Sequence, residues 1–216
     1  MTEPSVWIVI PTWNRKKDLA SCLQSISAQE YRNYQIVVVD NLSTDDTVAY
    51  VQSLPQPIHL ITLDDNYGAS VAANRGFQYA LTYDLDYILR LDSDTVLDPL
   101  FLTELVQAAE EVPAAGVLVG KIFYHDTPDM IWSFGARLHR WNLGAKDLAR
   151  GQADGESFSK RQRVDLAWAT GMLIRKKPLV SVGGFDESYV VYYEEADFTT
   201  NNFVYSKQHV WSRYRV

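Results

Sequence analysis

Short, continuously apolar runs separated by segments of helical length are the strongest constraint that this sequence places on its fold. The first run covers residues 6–10 and is stopped by Pro11. A strand without polar alternation is typical of a sheet that is buried on both faces. Further strand-like runs near residues 36–39, 58–62 and 87–91, the last two with polar residues among the apolar ones, alternate with predicted helices. The sequence therefore predicts an α/β fold with a mostly parallel central sheet flanked by helices.

Length and composition narrow the class further. The 216 residues suffice for a single α/β domain, and 47% hydrophobic with 22% charged residues is an ordinary globular composition. A net charge of −7 argues against a nucleic-acid partner, and neither an apolar run of membrane-spanning length nor a secretory signal is visible. The one cysteine, Cys22, lies on an apolar helical face, so we expect a buried structural thiol in a reducing cytoplasm.

Capping signals predict where the first two helices begin. Asn14 is expected to cap a helix over residues 15–28, and Ser43 is expected to cap the next, shorter helix. Asp45 and Asp46 would then lie in the positive first turn of that second helix. The third predicted strand contains a histidine that we interpret as packing or surface, not as a ligand.

Polar side chains follow three of the predicted strands. Thr12 comes after the first strand, Asp40 ends the second, and Asp92 and Asp94 follow the fourth. The carboxyl ends of parallel strands form one ligand crevice. If Asp92 and Asp94 continue the strand, both point to the same face, and their oxygens suit Mg²⁺ or Mn²⁺ bridging to phosphates. The pattern predicts a crevice with an uncharged contact, a base-reading carboxylate and a metal site.

A second Asp-x-Asp pair, Asp84 and Asp86, shows that the motif alone is weak. With this many aspartates, roughly one or two such pairs are expected by chance. The second pair lies in a polar turn before the strand, so we interpret it as a solvated loop. Position at the end of a buried strand is what favours Asp92 and Asp94 as a binding site.

Residues 66–76 are rich in small side chains around a predicted helix start. They lack both the Gly-Lys-Ser/Thr ending of a Walker loop and the glycine spacing of the dinucleotide fingerprint. Tight packing of a helix on the sheet explains Gly68 and Gly76 as well as a ligand does. Asn74 and Arg75 are harder to explain by packing.

The second half of the sequence changes character. Residues 142–163 are polar and contain glycines, which predicts a mobile loop, and the aromatic residues Trp132, Phe134, Trp141 and Trp168 cluster around it.

Acidic residues close this half at Glu194, Glu195 and Asp197. Carboxylates beside aromatic residues are candidates for general-base chemistry. A helix amino end, which favours negative charge, explains them equally well. From local sequence the two interpretations remain open.

Six motifs together carry a family resemblance. In their order the sequence resembles family-two glycosyltransferases of the A-type fold over about residues 6–198, with the rhamnosyltransferase-like branch nearest. Six motifs in register are far more specific than any one of them. The motifs cover residues 8–15, 38–45, 66–76, 91–95, 183–187 and 194–197.

The resemblance implies a nucleotide-sugar-dependent, inverting transferase with a Rossmann-like domain and Mn²⁺ or Mg²⁺. The donor would be dTDP- or UDP-linked, and the acceptor a hydroxyl of a carbohydrate or lipid-linked molecule. Residues 1–97 would form the nucleotide-binding half, and residues 98–198 the acceptor-side half. We expect a cytoplasmic protein without a transmembrane segment. Peripheral contact with the inner face of the membrane is compatible with this expectation.

The same resemblance assigns roles to residues. Thr12 and Asp40 would face the nucleobase with Arg75 nearby, Asp92 would approach the ribose or sugar, and Asp94 would coordinate the metal. The remaining implied donor contacts are Pro11, Asn66, Gly68, Asn74 and Ser93.

The implied catalytic residue is Glu195, the general base that deprotonates the acceptor hydroxyl. A direct displacement needs no covalent intermediate, so the sequence needs no Cys or Ser nucleophile.

Residues 199–216 depart from the family pattern. They predict a short strand, a disordered end or an altered reading frame, which leaves open a nucleotide-sugar-binding protein without turnover. A remote alternative is a haloacid-dehalogenase-like phosphatase, in which Asp92 would be the nucleophile. Phosphatases of that class carry the Asp-x-Asp motif near the start of the chain, with a glycine after the second aspartate and a later acidic motif. These features are missing from this sequence.

Overall fold

The computed structural model describes residues 3–138, 144–189, 194–200 and 204–214, with only the backbone for residues 200 and 205–214. The described strands are β1 (Val6–Thr12), β2 (Tyr34–Asp40), β3 (His59–Thr62), β4 (Tyr87–Arg90), β5 (Thr95–Leu97), β6 (Val117–Tyr124), β7 (Ile131–Ser133), β8 (Ala136–Leu138), β9 (Ala145–Asp147), β10 (Gln162–Val164), β11 (Met172–Arg175) and β12 (Val204–Tyr214). The helices are α1 (Lys16–Ser27), α2 (Thr47–Ser53), α3 (Ala69–Ala80), α4 (Phe101–Glu111), α5 (Lys176–Val182), α6 (Glu194–Thr200) and a 3-10 turn at Glu156–Phe158.

A mixed sheet of ten strands organises these described residues. Its order is β10-β12-β6-β11-β4-β1-β2-β3, with β5 paired to β12 and β7 paired to β6. The strands β4, β1, β2 and β3 run parallel, whereas β11 is antiparallel to both β4 and β6. Strands β8 and β9 form a separate pair. The predicted α/β fold with a mostly parallel sheet flanked by helices is confirmed.

Alternate residues of β1 enter two different cores, one on each face of the sheet. Val6, Ile8 and Ile10 pack with apolar residues of α1 and α4. Trp7 and Val9 pack on the other face with residues of α3 and α5. This is why the run is apolar at every position: both side-chain directions of the strand end in a hydrophobic core.

Gly76 sets how closely α3 lies on the sheet. A Cβ at this position would lie 2.2 Å from Cγ1 of Val9 and 3.1 Å from Cγ2 of Val39. A side chain at this position would force Val9 to shift within a packed core. The packing explanation of this glycine is therefore the one that the structure supports.

The predicted helix caps are wrong. Asn14 has a positive φ of 52°, α1 begins only at Lys16, and no side chain caps that helix. Instead, the Asn14 Oδ1 accepts the backbone N–H groups of Thr44 and Asp45 at 2.7 and 3.2 Å. These tertiary hydrogen bonds override the local capping signal, and they tie the end of β1 to the loop after β2.

The second helix also begins later than predicted. Ser43 does not cap α2, because its hydroxyl accepts the backbone N–H of Asn14 at 2.8 Å. The helix starts at Thr47, whose N–H donates to Asp45 Oδ1 at 2.9 Å, so Asp45 precedes the helix instead of lying in its first turn.

The second half is more ordered than the sequence predicted. The 142–163 segment, predicted as a loop, contains β9, the 3-10 turn and the start of β10 in its described part. In the described part of residues 199–216, α6 ends at Thr200 and β12 pairs with β6, β10 and β5, so the strand that was one of the alternatives is present. Trp141, from the predicted aromatic cluster, lies outside the described residues.

Candidate functional site

A cavity of about 680 Å³ opens at the carboxyl ends of β1 and β4. This is the edge at which parallel sheets hold their ligands. Seven of the predicted site residues contribute to its wall: Pro11, Thr12, Asn66, Gly68, Asp92, Ser93 and Asp94. The sequence assigned no role to the other five lining residues, although all but the last lie within the family motifs: Trp13, Arg15, Asn41, Ala69 and Arg90.

Asp92 and Asp94 lie in a turn between β4 and β5, not in a strand. The expectation that strand alternation aligns their side chains is therefore wrong. Asp92 is held by two cross-links: the Arg90 Nη1 donates to one carboxylate oxygen and the Thr170 hydroxyl to the other. The Arg90 contact is local, two residues before Asp92, whereas Thr170 lies in the segment before β11, so its contact ties the turn to a distant part of the chain.

Asp94 is the more deeply buried carboxylate of the turn. Its side chain is 7% exposed, and its Oδ2 lies 2.8 Å from Nη1 of Arg15. Burial raises the pKa of Asp94 to about 6, the nearby Asp92 carboxylate adds to the rise, and the Arg15 guanidinium opposes it. Asp94 is thus a carboxylate that is costly to ionise without a cation beside it.

The donor set suits Mg²⁺ or Mn²⁺ only in combination with phosphate oxygens. Within the described part of the chain, no group of three or more His, Cys, Asp or Glu residues could enclose a metal. One or two carboxylates are, however, what a magnesium site uses when substrate phosphates supply the remaining ligands. The Asp92–Asp94 turn fits that second arrangement, with Asp94 as the buried ligand.

Thr12 and Asp40 lie where the sequence predicted, at the ends of the adjacent strands β1 and β2. They are 3% and 2% exposed, and their backbones are partners in the parallel ladder. Asp40 Oδ2 accepts the N–H of Ser43 at 2.9 Å, whereas Asp40 Oδ1 and the Thr12 hydroxyl have no partner. Asp40 does not contribute to the cavity wall, although Thr12 does.

Asn41 organises the opposite rim. Its Nδ2 donates to Asn66 Oδ1 at 2.7 Å and to the Gly68 carbonyl at 3.2 Å, and its Oδ1 accepts the Tyr67 N–H. Gly68 precedes α3 with a positive φ of 87°, a conformation that favours glycine. These bonds bring Asn66 and Gly68 to the cavity.

Besides Asp40, two more predicted donor contacts lie outside the cavity wall. Asn74 is buried away from the cavity, where its Nδ2 donates to the Phe185 carbonyl and to Glu187, and its Oδ1 accepts the Phe185 N–H. These hydrogen bonds attach the loop after α5 to α3. Arg75 is exposed on α3 and donates to Gln78 at 3.2 Å. The structure therefore does not bring Asn74 or Arg75 together with the cavity residues.

Glu194 and Glu195 are both buried, at 7% and 5% exposure, in the first turn of α6. Burial raises the pKa of Glu195 to about 7, repulsion by Glu194 adds to the rise, and the Arg90 guanidinium opposes it. Arg90 thus links the cavity, through Asp92, to the electrostatic surroundings of Glu195. A carboxyl group with this pKa can exchange a proton near neutral pH.

Three more of the sequence interpretations, those of Asp84, Cys22 and His59, can be compared with the structure. Asp84 is fully exposed, as expected of a solvated loop, and Cys22 is completely buried, which raises the pKa of its thiol. His59 stacks on Trp7 with ring centroids 5.3 Å apart, which confirms a packing role. No helix of the described residues has the length and apolarity that crossing a bilayer requires.

The family model of "Glycosyl transferase family 2" matches residues 7–183. This chain belongs to glycosyl transferase family 2. The match of this family 2 chain includes every lining residue of the cavity and stops before α6. The rhamnosyltransferase-like branch is a finer assignment than this match carries.

Known relatives of this family 2 chain are longer. It is 34% identical over 112 residues to "Succinoglycan biosynthesis protein ExoO" of Rhizobium meliloti. This match covers 51% of this chain and 31% of that protein. The chain spans between 31% and 40% of the length of the first curated relatives that it matches.

Two solved structures share the fold. Staphylococcus aureus TarS 1-349 in complex with UDP-GlcNAc superimposes with a TM-score of 0.70 at 18% identity, covering 98% of this chain and 59% of that one. GalNAc-T7 with UDP, GalNAc and Mn²⁺ superimposes with a TM-score of 0.79 at 14% identity, covering 99% of this chain and 44% of that one. The A-type glycosyltransferase fold is thereby shown.

Proposed function

We propose that this family 2 domain is a glycosyltransferase that moves a sugar from a nucleoside-diphosphate donor to an acceptor hydroxyl, with inversion and with a divalent metal. The observation that carries the proposal is the cavity that joins the Asp92–Asp94 turn to Thr12 and Arg90. The family match supports the reaction class.

The donor is proposed to lie along the cavity with its nucleoside toward β1 and β2. The partnerless Thr12 hydroxyl, in the cavity wall, is a donor that a nucleobase can satisfy. Asp40 is outside the wall but beside Thr12 in the sheet, and its partnerless Oδ1 is proposed as the acceptor that reads the base. Pro11, Asn66, Gly68, Asp92 and Ser93 are proposed as further contacts because they form the wall. The UDP-GlcNAc bound by TarS favours a UDP-linked over a dTDP-linked donor.

Asp94 is proposed to hold Mn²⁺ or Mg²⁺ together with the diphosphate, and the Mn²⁺ of GalNAc-T7 supports this class of metal. Such an ion, when bound, neutralises the charge that grows on the departing diphosphate. The protein itself keeps Asp94 buried in the cavity wall. It also orients Asp92 through hydrogen bonds from Arg90 and Thr170.

Glu195 is proposed as the base that takes the proton of the attacking hydroxyl. A pKa of about 7 lies near neutral pH, where a general base combines availability with driving force. Because displacement from the opposite face completes the transfer in one step, the configuration at the sugar carbon inverts. The acceptor is proposed to be a carbohydrate or a lipid-linked carbohydrate, in line with the name of the succinoglycan relative.

The test is calorimetric titration of UDP in the presence of Mn²⁺ into the unchanged protein, Asp94→Ala and Asp84→Ala. We expect Asp94→Ala to abolish metal-dependent UDP binding, since it removes the buried carboxylate ligand. Asp84→Ala is the matched control, because Asp84 belongs to the other Asp-x-Asp pair and is fully exposed. Equal losses at the two positions would contradict the site. Release of free UDP from a donor only when an acceptor is present would separate transfer from binding without turnover.

A further inference from the structure

Arg15 is a cavity residue whose charge the proposed function has not used. Its Nη1 lies 2.8 Å from Asp94 Oδ2 and 3.4 Å from Asp18 Oδ2. The Arg15 side chain is 48% exposed, whereas that of Asp94 is 7% exposed. A long, half-exposed side chain therefore places its charged end on a buried carboxylate at the cavity wall.

A guanidinium group and a divalent cation compete for this carboxylate. Both are attracted to the same Asp94 oxygen, and they repel each other when they share it. A metal ion that binds Asp94 alone is repelled by the Arg15 guanidinium, which weakens the Arg15–Asp94 pair without giving Arg15 a new partner. A metal that arrives with a diphosphate brings a new anionic partner for Arg15, and a guanidinium binds phosphate oxygens with charge-assisted hydrogen bonds.

We propose that Arg15 is a displaceable cation that makes metal and nucleoside diphosphate bind cooperatively. It holds Asp94 in the free protein, gives way to the metal, and then contacts the diphosphate. This inference rests on the proposed function, because it takes Asp94 as the metal ligand. In thermodynamic terms, the Arg15–Asp94 pair is one source of the coupling free energy between the two ligands.

The inference requires two effects of opposite sign in Arg15→Gln. Mn²⁺ alone should bind more tightly, by about 2- to 5-fold, since a half-exposed ion pair of modest strength no longer competes. UDP in the presence of Mn²⁺ should bind more weakly, by about 10- to 100-fold, since a charge-assisted contact to phosphate is lost. A merely structural role of Arg15 would weaken both.

The experiment measures free Mn²⁺ by electron paramagnetic resonance and UDP binding by calorimetry, so neither readout needs turnover. Lys16→Gln is the matched control. It removes the same charge one residue further on, from a side chain that is 43% exposed and pairs with Asp46, not with Asp94. Arg15→Lys keeps the charge but loses the planar fork, so it should leave Mn²⁺ affinity nearly unchanged and weaken UDP binding.

The outcomes separate the two proposals. If the unchanged protein binds no UDP with Mn²⁺, or binds it equally in Asp94→Ala, the proposed function fails and takes this inference with it. If that binding depends on Asp94, and Arg15→Gln behaves like Lys16→Gln, only the role of Arg15 is refuted. Loss of both Mn²⁺ and UDP affinity in Arg15→Gln also overturns it.

Discussion

Replacing Glu195 by Gln should stabilise the protein at alkaline pH while it removes the proposed base. Glu195 lies beside Glu194 in a buried helix turn, so its ionised form is unfavourable in the folded protein. Gln keeps the size of the side chain and its hydrogen-bonding capacity but carries no charge. The same substitution therefore has opposite expected effects on stability and on transfer.

The size of the stability effect follows from the pKa of Glu195, which rises from 4.5 to about 7 on folding. The folded state holds the proton more tightly, so this contribution to stability is full below pH 4.5 and is lost as the pH rises through 7. A difference of one in pKa is worth about 1.4 kcal/mol. Relative to low pH, the free energy of unfolding therefore falls by about 3 kcal/mol at pH 8, and by about 1 kcal/mol at pH 5, where Glu195 ionises mainly in the unfolded state.

The assay is thermal unfolding of the unchanged protein and Glu195→Gln at pH 5 and pH 8. For a chain of this length, 1 kcal/mol corresponds to about 2–4 °C, so we expect the variant to melt about 5–10 °C higher at pH 8 and only slightly higher at pH 5. Glu30→Gln is the control, because Glu30 is an exposed carboxylate outside the cavity. It should change the melting temperature little at either pH.

Refutation takes two forms. A Glu195→Gln variant that melts lower than the unchanged protein at pH 8, or gains equally at both pH values, would show that the buried charge is not the cause. Transfer should fall by about 10²- to 10⁴-fold with UDP binding nearly unchanged, the usual cost of losing a general base. Full transfer with Gln at this position would mean that another group, with Asp197 the next candidate, takes the proton.

Two further predictions concern the nucleoside end of the cavity and the close packing of α3 on the sheet. Asp40→Asn keeps an acceptor oxygen for the Ser43 N–H but replaces the partnerless Oδ1 with an amide donor. Uridine binding without metal, measured by calorimetry, should therefore weaken by about 10- to 100-fold. Equal affinity of the variant and the unchanged protein would show that Asp40 does not read the base. Gly76→Ala should cost about 1–3 kcal/mol in chemical denaturation because its Cβ meets Val9. Gly155→Ala, where the added Cβ has nothing within 4 Å, should cost much less, and equal costs would contradict the packing argument.

The sequence predicted the parallel strands well because their burial follows from local runs that are mostly apolar. It predicted the ligand edge for the same reason, since strand ends follow from where those runs stop. Local rules failed where a distant partner decides the geometry. Asn14 carries a capping signal, yet its side chain bonds backbone N–H groups 30 and 31 residues away.

The wall of the cavity shows the same limit. Arg15 meets Asp94 across 79 residues, and Thr170 meets Asp92 across 78, and neither pairing leaves a periodic trace in the sequence. Arg90 could have been noticed, because it is a charged residue that interrupts a buried strand between Leu89 and Leu91. An arginine in that setting needs a carboxylate partner, and Asp92 was the nearest candidate.

The pairing of strand β12 has a consequence for the local unfolding of the turn that contains Asp92 and Asp94. In the described residues, the pairing of β5 is with β12, and β5 begins directly after Asp94. The edge strand β10 also meets the sheet through β12. Because β5 and β10 both pair with β12, we expect the amide protons of residues 95–97, 162–164 and 204–214 to exchange with solvent together. Opening of these strands would release the turn that holds Asp92 and Asp94 while β1 to β4 stay folded.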